Sequence, residues 1–183
     1  MSSLLPLQDK RVLLFAGPDF EDAELIYPYF RFQEAGADVK VAGLGEATYT
    51  GKKGYPITTD GTYEDFVVGH WDIIVIPGGW APDKIRMNEA ALAIVRRGLT
   101  QGAVVGAICH GGWVLCSANV VRDKTVTSYC AIKDDLVNAG AHWVDEEVVV
   151  DGGLVTARTP ADIPAFTRGL FAAYAQQAGL VAV

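Results

Sequence analysis

The chain has 183 residues, a length typical of one domain with a sizeable core, and half of them are hydrophobic, which argues against disorder. Its net charge of −7 at pH 7 argues against nucleic-acid binding, because contact with a phosphate backbone needs clustered Lys and Arg. No apolar run reaches the roughly 18 residues that cross a membrane, and residues 1–10 lack the basic and apolar regions of a signal peptide. The sequence therefore predicts a cytoplasmic protein without membrane partners.

Three cysteines without close spacing do not suggest a disulfide framework, so we expect reduced thiols. No Cys/His pair has metal-ligand spacing, and no glycine-rich stretch has the spacing of a phosphate or dinucleotide loop. We expect neither a metal nor a cofactor.

The predicted elements alternate along the chain. We expect strands at 11–17, 38–44, 72–77, 104–108 and 125–129, helices at 24–35, 89–99, 112–119 and 132–139, a loop or hairpin over 46–66, a hairpin pair at 143–150 and 154–158, and a last helix at 160–177. Continuous apolar strands between helices indicate a parallel sheet covered on both faces. The prediction is an α/β flavodoxin-like three-layer sandwich with a mainly parallel central sheet. It forms one domain over 1–183, with 1–10 as a short N-terminal extension.

In such a sheet the functional site lies at the carboxyl ends of the strands, here loops 17–22, 77–82 and 108–112. Cys109 stands where an apolar strand turns sharply into a helix, and glycines follow at 111 and 112. This is the pattern of a nucleophile elbow, which exposes a reactive side chain. A helix start lowers a thiol pKa from about 8.5 to roughly 3.5–7.5. The alternative is a small buried side chain.

Three neighbours of Cys109 are candidates for supporting roles. Consecutive residues of a helix do not face each other, so His110 reaches the sulfur only if the turn is strained; otherwise it meets an acid elsewhere or packs at the helix start. The backbone N–H groups of Gly79 and His110 are candidate oxyanion donors, unless 77–80 is a plain glycine turn. Glu21 either contributes to the helix start or lies beside the sulfur, protonated, and shuttles a proton.

The chain resembles the ThiJ/PfpI family, within it the branch of intracellular protease I-like stress proteins. The resemblance runs from about 11 to 174 and rests on six segments: FEDAELIYP (20–28), PGGWAPD (77–83), AICHG (107–111), TSY (127–129), IKDD (132–135) and VVVDG (148–152). It implies a flavodoxin-like fold, a strained nucleophilic Cys109, a protonated carboxyl partner at Glu21, the oxyanion donors Gly79 and His110, and assembly into a homodimer or larger oligomer.

In the protease-like branch, the resemblance further implies that an acid of a second subunit orients the histidine. The matching position is Asp83, one methylene shorter than the family's Glu. A second departure is Cys130, where the pattern has Pro; it either resolves an oxidised Cys109 or is a small packed residue.

Three functions follow. Attack on a reactive aldehyde needs a thiolate, oxyanion donors and a proton shuttle, but no amine to expel. We therefore predict a stress-protective, cysteine-dependent enzyme acting on small carbonyl compounds or modified protein side chains, as a glyoxalase or deglycase does. The alternatives are an intracellular cysteine peptidase, which needs an oriented His110 to protonate a poor leaving group, and a non-enzymatic sensor or chaperone that works through Cys109 oxidation.

Overall fold

The computed structural model describes residues 6–180. Its strands, in chain order, are β1 (Arg11–Phe15), β2 (Asp38–Gly43), β3 (Thr48–Thr50), β4 (Pro56–Thr58), β5 (Gly61–Thr62), β6 (Ile73–Ile76), β7 (Val104–Ile108), β8 (Thr125–Val126), β9 (His142–Trp143), β10 (Val148–Asp151) and β11 (Leu154–Ala157). Its helices are α1 (Asp22–Glu34), α2 (Tyr63–Phe66), α3 (Ala81–Ile85), α4 (Glu89–Thr100), α5 (Gly112–Ser117), α6 (Lys133–Asn138) and α7 (Ile163–Gln177).

A seven-stranded sheet with the order β10-β11-β7-β6-β1-β2-β5 forms the centre of the fold. All its neighbouring strands are parallel except β10 and β11. Strands β6 and β7 are buried along their whole length, as expected for strands covered on both faces.

Helices cover both faces of this sheet. Gly98 of α4 faces the Ile74 side chain, whereas Gly106 faces Phe166 and Leu170 of α7. Gly106 pairs with Val75, the residue after Ile74, and successive strand residues point to opposite faces. The α4 and α7 layers therefore lie on opposite sides, and the predicted α/β sandwich with a mainly parallel sheet is confirmed.

Several elements differ from their predicted form. The segment 46–66 contains a hairpin, β3–β4, which is one of its two predicted forms, and also the edge strand β5 and the short helix α2, which were not predicted. The predicted strand 143–150 is divided, because the acidic run 145–147 interrupts it: β9 pairs with β8, and β10 pairs with β11. Helix α3 was not predicted.

The first part of the predicted N-terminal extension, residues 1–5, lies outside the described residues. Leu7, in the part that is described, is buried and its N–H donates to the Ala35 carbonyl, so this stretch packs against the end of α1. The single-domain boundary of 1–183 stays a prediction. Over residues 6–180, no helix has both the length and the apolar character needed to span a bilayer.

The chain order of the strands brings the candidate loops together. After β1 the chain builds the sheet outward through β2 and β5, then returns to the other side of β1 with β6 and β7. The order therefore reverses between β1 and β6, and a crevice forms at the carboxyl ends of strands at such a point. Backbone hydrogen bonds join the first two loops there: Trp80 N–H donates to Asp19, and Glu21 N–H donates to Gly78.

Candidate active site

Cys109 lies at a tight turn between β7 and α5. Its φ of +58° is in the left-handed region, which a non-glycine residue occupies only at a cost, and a short 3-10 turn over 109–111 leads into α5. A Cβ on Gly111 would come within 2.5 Å of the Ile76 carbonyl oxygen, so the turn needs a glycine there. This geometry is that of a nucleophile elbow.

Cys109 lines a cleft of about 400 Å³. Cys109 is only 9% exposed, and the cleft gives access to it. Ten residues line this space: Glu21, Lys52, Gly79, Trp80, Cys109, His110, Tyr129, Ala131, Thr159 and Pro160.

His110 contacts the sulfur because the turn is strained. Its Nδ1 lies 3.3 Å from Cys109 Sγ, within hydrogen-bonding distance for sulfur. Burial lowers the pKa of His110, so the imidazole is neutral at pH 7 and able to accept a proton.

The ionisation of Cys109 is set by opposing effects. Burial has the largest influence on the pKa of its thiol and raises it; a charged Glu24 has the same effect, whereas the N–H groups of His110 and Gly79 favour the thiolate. The sequence-based expectation of a lowered pKa is therefore not supported, because it took account of the helix start but not of desolvation.

Glu24 is the carboxyl group beside Cys109. It projects from α1, is fully buried, and its Oε2 accepts the Gly78 N–H at 2.7 Å. Its Oε1 is buried without a hydrogen-bond partner among the described residues. Burial raises the pKa of Glu24 to about 8 and outweighs the hydrogen bonds with the Gly78 N–H and the Cys109 thiol, which lower it. Glu24 is therefore protonated at neutral pH.

Glu21, predicted for this role, lies elsewhere. It is the residue just before α1, and its Oε2 pairs with Lys52 Nζ at 3.2 Å on the cleft wall. The helical repeat explains why Glu24, and not Glu21, lies beside the sulfur. Glu24 belongs to the same buried stripe of α1 as Pro28 and Phe32, four and eight residues further on. The sequence signal that points to Glu24 is an acidic residue at a position of the apolar stripe of α1.

Gly79 is fixed by the neighbouring loop. It forms an isolated bridge with Phe20, its φ is +78°, and its N–H lies beside the Cys109 sulfur together with that of His110. The two N–H groups proposed as oxyanion donors are thus brought to one place.

Asp83 does not contact His110 in this chain. Its side chain is 55% exposed and its carboxylate pairs with the neighbouring Lys84 at 3.1 Å. Throughout residues 6–180, no carboxylate forms an ion pair with the His110 ring, which instead packs against Trp80, Trp113 and Tyr129.

The remaining cysteines are free. Cys116 is buried in α5, where it packs as a small apolar side chain. Cys130 is exposed, and the cleft is lined by its neighbours Tyr129 and Ala131. In the described part of the chain, no three His, Cys, Asp or Glu side chains are grouped to hold a metal ion.

Comparison with known proteins gives a consistent result. The model of the DJ-1/PfpI family matches residues 10–173. The chain is 47% identical over 158 residues to "Deglycase PH1704" of Pyrococcus horikoshii, covering 86% of this chain and 95% of that protein. It is 39% identical to "Protein/nucleic acid deglycase 2" of Escherichia coli, covering 87% and 94%. The crystal structure of Drosophila melanogaster DJ-1beta superposes with a TM-score of 0.82 at 27% identity, covering 96% of this chain and all of that one.

Proposed function

Because the chain belongs to the DJ-1/PfpI family, we propose that its Cys109 cleft is the active site of a cysteine-dependent deglycase that acts on reactive carbonyl compounds and on their adducts with amines. The observation that carries this proposal is the convergence of a strained cysteine, a neutral histidine and two N–H groups at one cleft, with a protonated carboxyl buried beside the cysteine. The names of the relatives support the same activity.

The first step is addition of sulfur to the carbonyl carbon. A C–S bond forms, the carbonyl π pair moves to oxygen, and the thiol proton passes to His110 Nδ1, 3.3 Å away. The N–H groups of Gly79 and His110 hold the developing oxyanion. Glu24, protonated on Oε1, donates its O–H toward the sulfur, which gives this buried oxygen a partner and stabilises the ionised sulfur.

With a free aldehyde, His110 then returns its proton to the oxyanion, which gives the neutral hemithioacetal. An amine adduct reaches the same hemithioacetal. Sulfur replaces the amine on the carbon, and the amine leaves with the proton held by His110. The hydrogen on that carbon then moves as a proton to the adjacent carbonyl carbon through an enediol, which leaves a thioester. Water hydrolyses the thioester to a 2-hydroxy acid and the free thiol, so no external oxidant or reductant is needed.

A cysteine peptidase is the second candidate, favoured by the contact between Cys109 and His110. It requires an acid to orient His110, and in this chain Asp83 is paired with Lys84. We propose that the protein forms a homodimer or larger oligomer; the peptidase would then depend on Asp83 of a second copy. Peptide cleavage that is lost in Asp83→Asn while aldehyde turnover persists would identify this activity.

We further propose a stress-protective role in the cytoplasm, for one domain spanning 1–183. The reduced sulfur that the reaction requires supports this location, because thiols are kept reduced in the cytoplasm. The non-enzymatic alternative, a sensor or chaperone acting through Cys109 oxidation, predicts effects of peroxide on function without turnover of any carbonyl substrate.

The proposal is tested by turnover in cysteine variants. We expect Cys109→Ser to lower the formation of 2-hydroxy acid from methylglyoxal, and the release of amine from a methylglyoxal-treated amine, by at least about 100-fold, because the nucleophile is lost. Cys130→Ser is the matched control, since Cys130 does not line the cleft, and it should retain turnover. Retention of more than a tenth of the activity in Cys109→Ser would refute the proposal.

A further inference from the structure

Lys52 is a cation on the wall of the Cys109 cleft with no part in the mechanism above. Its Nζ pairs with Glu21 Oε2 at 3.2 Å and lies 5.6 Å from the centre of the Trp80 ring. Its side chain is 34% exposed, so the ammonium group remains open to a ligand in the cleft.

The backbone around Lys52 is held in place. Lys52 N–H donates to the Phe20 carbonyl at 2.9 Å, and the two Asp22 carboxylate oxygens accept the N–H groups of Lys53 and Tyr55 at 2.8 and 2.9 Å. The turn that carries Lys52 is thus fastened to the start of α1, the helix that also carries Glu24. The ammonium group is therefore presented to the cleft by a fixed turn, with Glu21 as its positioning residue.

The chemistry of the ammonium group leaves it able to bind substrate. Of its three N–H donors, one is used by Glu21, the only hydrogen-bond acceptor for Nζ among the described residues. The positive charge is also felt at the reacting groups, because Lys52 is among the causes that lower the pKa of His110 and that oppose the raised pKa of Glu24.

We propose that Lys52 is a specificity-determining residue, which donates a hydrogen bond to the oxygen on the carbon next to the attacked carbonyl. This inference rests on the proposed function. A 1,2-dicarbonyl compound has oxygens on two neighbouring carbons: the first is held by the N–H groups of Gly79 and His110, and the second faces the cleft wall that carries Lys52. A neighbouring carboxylate is bound more strongly than a ketone oxygen, because the hydrogen bond then joins two charged groups.

The test measures reversible aldehyde binding to Cys109 as protection from alkylation by iodoacetamide. Three probes differ in the group next to the aldehyde: glyoxylate has a carboxylate, methylglyoxal a ketone and propanal a methylene. We expect Lys52→Met to weaken glyoxylate binding about tenfold or more and methylglyoxal binding several-fold, and to change propanal binding less than twofold. Lys52→Arg should restore most glyoxylate binding, and Lys53→Met, which alters the adjacent exposed lysine, should match the wild type.

The results that would overturn the role of Lys52 differ from the result that would overturn the proposed function. Equal weakening for all three probes would assign Lys52 a structural role and overturn the inference, as would unchanged glyoxylate binding in Lys52→Met. Both results leave the proposed function intact, since wild-type Cys109 still binds aldehydes. Failure of every probe to protect wild-type Cys109 is a different result, and it would overturn the proposed function together with the role of Lys52.

Discussion

At the scale of single residues, the reactivity of Cys109 depends on which groups donate hydrogen bonds to its sulfur. We expect Glu24→Leu to slow alkylation of Cys109 at pH 7 by about tenfold or more, because a hydrogen bond to a charged group contributes roughly 1.5–3 kcal/mol. Glu24→Gln keeps an N–H donor and should retain most of the rate. Glu21→Gln should raise the rate, since the Glu21 charge disfavours the thiolate. The measurement is the iodoacetamide rate against pH, and a slower rate in Glu21→Gln than in Glu24→Leu would contradict the assignment.

The same residues show what the sequence could and could not reveal about the site. Cys109, His110 and Gly79 converge as expected, because each follows or adjoins the carboxyl end of a strand whose place in the sheet the apolar pattern indicates. Glu21 and Glu24 are separated by less than one helical turn, and which of them points inward depends on where α1 begins. Helix starts are the least certain part of a sequence-based prediction, so the carboxyl partner was assigned three residues too early.

At the scale of elements, the site depends on the close approach of the loops after β1 and β6. A Cβ on Gly79 would lie 2.4–2.6 Å from backbone atoms of residues 19–21, whereas Gly102 has a similar φ, +85° against +78°, and open space around it. We expect Gly102→Ala to cost about 1–2 kcal/mol of unfolding free energy, from the left-handed backbone alone. Gly79→Ala should cost about 1–3 kcal/mol more, because the added methyl group overpacks the contact, and it should also lower turnover, since the loops must separate. Urea unfolding measures the free energy of unfolding of both variants. Equal decreases in the two would show that Gly79 is not in tight contact with residues 19–21.

Long, buried elements could be predicted from the sequence, whereas short elements could not. Strands β1, β6 and β7 are apolar and covered on both faces, so their pattern is unambiguous. The short helix α3 was not predicted, and the segment 46–66 could be either a loop or a hairpin, because elements of three to five residues are too short to show a period. Their positions are set by tertiary contacts, such as those that fasten the turn after β3 to Asp22.

At the scale of the whole molecule, the buried Glu24 makes folding stability depend on pH. Its pKa rises from an ordinary value of 4.5 to about 8 in the folded chain, so the folded state retains a proton that the unfolded state releases. The resulting stabilisation is complete below pH 4.5 and is lost as the pH rises towards 8, at about 1.4 kcal/mol per pH unit for one proton. Glu24→Gln cannot release this proton, and its stability should not decline in this way.

The difference in unfolding free energy between the wild type and Glu24→Gln, measured in urea at pH 5.5, 6.5 and 7.5, isolates this contribution. Other titrating groups are common to both proteins; His110, for example, has a lowered pKa and acts in the opposite direction, because its stabilisation is lost as the pH falls. We expect the difference to move steadily in favour of the Gln variant as the pH rises. A constant difference would mean that Glu24 is already ionised in the folded protein, and the proton that we assign to its Oε1 would then be absent.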